Sequence, residues 1–153
     1  MSHSVLSILL TDDNVNEHLF FKYAIKNINE NIKVQSFSSG KVLLDYLNDG
    51  TSPLPDILFL DVNMPLKNGT ECLAEIRAMK DLTELPIVMY STSDSAEDVD
   101  KAYENGANLY VKKPIGIDEL RQMLSKVFDI YQENKLKPGS RNEFLVSSNG
   151  HRR

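Results

Sequence analysis

The chain has 153 residues, 41% hydrophobic and 25% charged, with a formal net charge of −5. That length and composition fit one globular domain with a substantial core and exclude disordered and fibrous classes. The charge is uneven: Gln132 to Arg153 holds five Lys/Arg against two Glu, so residues 1–131 carry −8 and make a poor nucleic-acid binder. No apolar run approaches the roughly 18 residues needed to span a bilayer, so membrane insertion is not expected. The start, "MSHSVLSILL", lacks the positive charge of a secretory signal. Cys72 is the sole cysteine, which rules out an internal disulfide framework and fits a cytoplasmic location.

In chain order, "SVLSILL" (Ser4 to Leu10) reads as a first strand. Asn14, with Glu17 three residues on, suggests a capping box opening a helix to about Ile28, with Val15, Leu19 and Tyr23 along one face. A strand over Ile32 to Phe37 and a helix over Gly40 to Asn48 follow, then a long turn punctuated by Gly50, Pro53 and Pro55. "DILFLD" (Asp56 to Asp61) is a third strand, followed by a helix from Thr70 to Met79. "PIVMYS" (Pro86 to Ser91) precedes a helix from Ser95 to Asn105 that Gly106 stops. "LYVKK" (Leu109 to Lys113) leads into a last helix, Ile117 to Tyr131, where Leu120, Leu124, Val127 and Tyr131 keep the helical period. Several strands are apolar almost throughout, as strands covered on both faces are. Five strands alternating with five helices predict an α/β fold, a (βα)5 open, doubly wound parallel sheet. Residues 132–153 form a basic tail, flexible or docking, in which "NEFLV" (Asn142 to Val146) reads as an edge strand, a docking segment or a frayed end.

In such a sheet, ligands bind outside the C-terminal strand ends, at a topological switch point. Those ends hold Asp12 and Asp13, Asp61, Ser91 and Lys113. Two unit charges about 4 Å apart repel by on the order of 4 kcal/mol at an effective dielectric near 20. Three carboxylates at one edge therefore need a proton or a cation among them. An all-oxygen set with room for water suits Mg²⁺ better than zinc or copper. Carboxylates, a divalent cation, an ammonium and a hydroxyl together describe a pocket for a phosphoryl group.

"LLTDDN", "LFLDVNMPLKNG", "PIVMYSTS" and "ANLYVKKP" together resemble the receiver domain of two-component response regulators, over about Val5 to Phe128. The resemblance implies the flavodoxin-like strand order 2-1-3-4-5, residues 1–131 as the receiver, and a signalling protein rather than an enzyme. It implies that Asp61 is the phosphoacceptor, taking a phosphoryl group from a histidine kinase or phosphotransfer protein. Asp13 would coordinate Mg²⁺ (or Mn²⁺) directly, Asp12 mainly through water, and Asn63 through its backbone carbonyl, with Asp61 completing the metal set. Lys113 would pair with the phosphoryl oxygens, and the Lys113–Pro114 peptide would be cis. Ser91 would bond the phosphoryl group, and Tyr110 would then turn inward, reshaping the face of the fourth helix, fifth strand and fifth helix for a downstream protein or a homodimer.

Asn63, Thr92 and Ser93 flank the entrance to Asp61. Thr92 stands where the family usually has a small residue, so small phosphodonors are expected to react slowly. The long turn "NDGTSPLP" resembles small stand-alone regulators such as those partnering bacterial phytochromes. Two other functions share parts of the pattern: an aspartate-nucleophile phosphatase, and a pseudo-receiver that only binds. The first expects a second Asp where Asn63 stands, and the second expects a missing site residue. Cys72, beside Leu73 and Ile76, reads as core, and His3, His18 and His151 read as surface residues.

Overall fold

The nearly continuous apolar runs become strands covered on both faces. The computed structural model describes residues 6–137 and 139–146. In order it contains β1 (Ser7–Thr11), α1 (Val15–Lys26), β2 (Lys33–Phe37), α2 (Gly40–Asp49), β3 (Ile57–Leu60) and α3 (Gly69–Ala78). β4 (Ile87–Ser91), α4 (Ala96–Glu104), β5 (Leu109–Lys112) and α5 (Ile117–Asn134) follow. A short α6 (Arg141–Phe144) then runs directly into β6 (Leu145–Val146). The sheet order is β2-β1-β3-β4-β5-β6 and the pairings are parallel. The expected order 2-1-3-4-5 is therefore present, with a sixth strand added beside β5 from the basic tail. Among the described residues no helix is long and apolar enough to cross a membrane.

Alternation within the strands divides the core into two layers. Ile8, Leu10, Ile57, Phe59, Val88, Tyr90, Leu109 and Val111 pack with Phe21 and Ala24 of α1 and with Leu120, Leu124 and Val127 of α5. Leu9, Leu58, Leu60, Ile87, Met89 and Tyr110 face the other way, against Leu43 and Leu47 of α2, Leu73 and Ile76 of α3 and Val99 of α4. Phe21, Phe59 and Tyr90 meet edge to face in the first layer, with centroids 5.0, 5.7 and 6.2 Å apart. Cys72 is buried in the second layer, as expected, and burial pushes its thiol up to about 11.

Helix α1 differs from its reading in sequence. Asn14 does cap it, accepting from Asn16 N at 2.9 Å, but Glu17 instead lies 3.9 Å from Lys113 Nζ. Its buried residues are His18, Phe21, Ala24 and Ile25, whereas Val15, Leu19 and Tyr23 are 60, 63 and 61% exposed. The helix thus carries two apolar stripes, and the one with Phe21 fits the aromatic cluster. His18 is not a surface residue. Its Nε2 donates to the Asp12 backbone carbonyl at 2.6 Å, which fixes that nitrogen as the protonated one. His3 and His151 lie outside the described residues.

Because β1 pairs with both β2 and β3, the winding reverses there, and a crevice opens at the C-terminal ends of β1 and β3. Gly69, the first residue of α3, closes the loop after β3 by bonding its N–H to Val62 O at 2.8 Å. Asn68 and Glu71 form a capping box there. A Cβ on Gly69 would lie 2.0 Å from the Asp61 carbonyl oxygen, a clash of backbone against backbone. Gly69→Ala is therefore expected to cost about 2 kcal/mol or more in urea unfolding. A loss within 0.5 kcal/mol (about the surface-mutation range) would show that this loop yields freely.

Candidate functional site

Hydrogen bonds of the sheet place three carboxylates at the crevice. Asp61 N donates to Thr11 O at 2.9 Å and Asp12 N to Phe37 O at 3.1 Å, fixing both chains just beyond their strands. Asp12 is fully buried, Asp61 is buried to 4% exposure, and Asp13 is exposed. Each offers an oxygen within 4.8 Å of the other two.

Lys113 stands among them. Its Nζ lies 2.7 Å from Asp12 Oδ2, 3.6 Å from Asp61 Oδ2 and 3.9 Å from Glu17 Oε1. Tyr90 supports the ammonium from below, its ring centroid 5.3 Å from Nζ. Burial works to lower the lysine, but the Asp12 hydrogen bond and the charges of Asp61, Asp12 and Glu17 outweigh it, and the net shift is upward. The Asp61 carboxyl moves up to about 6. Burial is the main cause, with Lys113 opposing it and Asp12 adding to it. The Asp61 side chain accepts from Asn63 N at only 3.3 Å, so its oxygens are sparsely satisfied.

Ser91, at the end of β4, is fully buried. Its Oγ accepts from Ser93 N at 3.1 Å and from Asn63 Nδ2 at 3.4 Å. Tyr110 is also fully buried and donates from its hydroxyl to Ser93 O at 2.7 Å. Burial pushes its phenol up to about 12, against a hydrogen bond with Ser91. Tyr110 thus lies inward in this structure. The Lys113–Pro114 peptide departs from its expected cis form, since it is trans. The intrinsic preference of an X–Pro bond is trans by about 0.5–1 kcal/mol, and Lys113 reaches both carboxylates without the other isomer.

Thr92, expected at the entrance, is exposed and lines a groove of about 470 Å³ with Asn16, Glu17, Phe20, Lys113 and Ile115. Asn63 is exposed at the mouth, and Ser93 Oγ donates to Asp98 of α4 at 2.7 Å. The structure thus brings Asp12, Asp13, Asp61, Asn63, Ser91 and Lys113 together, with Tyr110 joined through Ser91 and Ser93. Sequence reasoning missed Tyr90, Glu17 as a neighbour of Lys113, and Gly69. Of these only Gly69, in "KNG" after the strand-end Asp, carried a legible turn signal.

The donors suit a hard divalent cation: oxygen only, one carboxylate exposed and two buried, with a lysine already balancing part of the charge. Fold and site together define a two-component signalling module. The chain belongs to the response regulator receiver domain family, whose model matches residues 8–125. It is 29% identical over 135 residues to the probable methanogenesis regulatory protein FilR2 of Methanothrix harundinacea, covering 86% of this chain and 87% of that one. It is 35% identical over 89 residues to the response regulator Rcp1 of Synechocystis, 58% of this chain and 60% of Rcp1. The Mn²⁺-bound structure of Rcp1 superposes with a TM-score of 0.75 at 28% identity, covering 88% and 99% of the two chains. The phosphorylated cyanobacterial phytochrome response regulator RcpA superposes at 0.77 with 27% identity, covering 84% and 95%.

A carboxylate whose folded value lies near 6, above the ordinary 3.8, binds its proton more tightly in the folded state. Its contribution to stability is whole below pH 3.8 and is lost as pH rises through 6. Without divalent metal, Asp61→Asn should therefore be more stable than wild type by roughly 1–2 kcal/mol above pH 7, with the difference vanishing towards pH 4. Urea unfolding in chelator at the two ends of that range measures it. Equal stabilities at high pH would mean that the charged Asp61 is not under strain.

Proposed function

We propose that this chain accepts a phosphoryl group on Asp61 from the phosphohistidine of a partner kinase or phosphotransfer protein, and passes the signal on by protein contact. The observation that carries the reading is one buried, sparsely bonded carboxylate, Asp61, held 3.6 Å from a lysine that a second buried carboxylate anchors. An Asp61 oxygen attacks phosphorus, a P–O bond forms, the P–N bond to the donor histidine breaks, and the imidazole departs. Lys113 offsets charge on the transferring oxygens. Ser91, 0% exposed and at the rim of the same pocket, turns its hydroxyl towards the bound phosphoryl group. Asp13, Asp12, Asp61 and the Asn63 carbonyl would hold Mg²⁺, which Mn²⁺ can replace. Bound there, the ion would supply charge neutralisation for the group being transferred.

The surroundings of the pocket support a protein donor. Val15, Leu19 and Tyr23 of α1 are exposed, and Leu66 and Ile115, in the loops after β3 and β5, are almost entirely so. Leu66 holds this position at φ 69°, a left-handed conformation unusual for leucine. Val15, Leu66 and Ile115 follow the ends of β1, β3 and β5, at the same end of the sheet as Asp61, with Leu19 one turn further along α1. A docked histidine-bearing helix would cover this rim and exclude water. The likeness to regulators named for phytochromes favours a photoreceptor-linked kinase as that donor. The downstream target, or a second copy of the chain, would meet α4, β5 and α5, where it must accommodate the tail segment already lying on β5.

Incubation with acetyl phosphate and Mg²⁺, followed by intact-mass measurement, should give a single base-labile phosphate adduct. The adduct should be lost in chelator and in Asp61→Asn, and reduced at least tenfold in Lys113→Met. Leu19→Asp, on the rim, should slow transfer from a phosphohistidine protein about tenfold and leave the acetyl phosphate reaction unchanged. No adduct from either donor would refute the phosphoacceptor reading. Equal slowing with both donors would refute the rim as a docking surface.

A further inference from the structure

The tail that follows α5 is built into the fold by a specific turn. Lys135 and Leu136 both take left-handed backbone conformations, at φ 57° and 61°, without being glycine. Such residues persist where their surroundings over-determine them. Leu136 is fully buried, and its carbonyl accepts from Asn108 Nδ2 at 2.8 Å. Asn108 Oδ1 in turn accepts from Ile87 N and from Arg77 Nη2, each at 2.8 Å. The turn is thus fastened to β4 and α3, and it sends the chain back along the free edge of β5.

There the segment contacts the part of β5 that communicates with Asp61. Leu145 pairs with Tyr110 and Val146 with Val111. Phe144, 3% exposed, lies edge-on to Tyr103 of α4 at 5.2 Å and tilted against Tyr110 at 6.3 Å. Arg141 donates from Nε and Nη2 to Asp100 of α4 at 2.9 and 2.7 Å. From Tyr110 the contacts continue without a gap. The Tyr110 hydroxyl bonds Ser93 O, Ser93 N bonds Ser91 Oγ, Asn63 Nδ2 reaches the same Oγ, and Asn63 N reaches Asp61 Oδ1.

We propose that Phe144 is a positioning residue for the Asp61 pocket: docked on β5, the tail holds Tyr110 inward, so that tail docking and occupancy of Asp61 favour each other. The inference rests on the phosphoacceptor reading. Its physical basis is steric: the Phe144 ring packs against the Tyr110 ring at 6.3 Å and Leu145 pairs beside it on β5, so the docked tail encloses Tyr110 from the edge of the sheet. Held inward, Tyr110 keeps Ser93, and with it Ser91, in the arrangement that meets a phosphoryl group. Coupling of this kind is reciprocal, so each event must strengthen the other by the same factor.

The test uses beryllium trifluoride with Mg²⁺, a non-hydrolysing stand-in for the phosphoryl group, on the full chain and on Phe144→Ala and Arg141→Ala. Affinity read by fluorine NMR should fall about fivefold in Phe144→Ala. It should fall less, in the same direction, in Arg141→Ala, which loosens the tail without touching Tyr110 and guards against a folding defect. In wild type, adding the probe should slow amide hydrogen exchange at residues 141–146 by the matching factor, a response that a merely structural Phe144 would not give. Affinities equal in all three proteins, with tail exchange unchanged by the probe, overturn the coupling while leaving the phosphoacceptor reading intact. Failure of wild type to bind the probe overturns both.

Discussion

Repulsion among Asp12, Asp13 and Asp61, and its partial relief by Lys113, is the constraint on which the rest of the molecule turns. Three carboxylates with oxygens within 4.8 Å of one another would not stay together unaided. Lys113 touches two of them and leaves the third, Asp13, facing solvent. The relief is incomplete in its physical effect: Asp61 is left with its carboxyl raised to about 6, so that a further positive charge beside it would be stabilising. A fully neutralised pocket would have no such appetite.

The fold exists in this form to hold that imbalance. β1 and β3 deliver Asp12 and Asp61 side by side because they are neighbours at the point where the winding reverses. Gly69 lets α3 begin against the Asp61 carbonyl, and Tyr90 gives Lys113 an aromatic floor tied into the core by Phe21 and Phe59. The same α1 that supplies Phe21 to the interior turns Val15, Leu19 and Tyr23 outward. One helix thereby serves the core with one stripe and presents apolar side chains at the surface with the other.

Much of this was legible in the sequence because the doubly wound pattern says where to look. Once the strands were located, Asp12, Asp13, Asp61, Ser91 and Lys113 fell at their ends, and the structure gathers them. The face of α1 was not legible. Val15, Leu19 and Tyr23 keep a helical period, but so do His18, Phe21 and Ile25, and only the aromatic cluster across the sheet decides between the stripes. For the same reason His18 reads as a surface residue until its bond to the Asp12 carbonyl is seen. Neither the inward Tyr110 nor the trans Lys113–Pro114 peptide is encoded locally, since both depend on packing around β5 and on the reach of Lys113. The sixth strand stood as only one of three readings of "NEFLV" because two residues, Leu145 and Val146, leave no periodicity, and the turn that aims them relies on Asn108, some thirty residues earlier.

The most direct measurement is a carbon-13 NMR titration of the Asp61 side-chain carboxyl in metal-free protein, with Lys113→Met beside wild type. An apparent value near 6 in wild type, rising further when the lysine is removed, is the expected result. A value close to the ordinary 3.8, unmoved in Lys113→Met, would contradict the idea of a desolvated carboxylate held only partly neutralised.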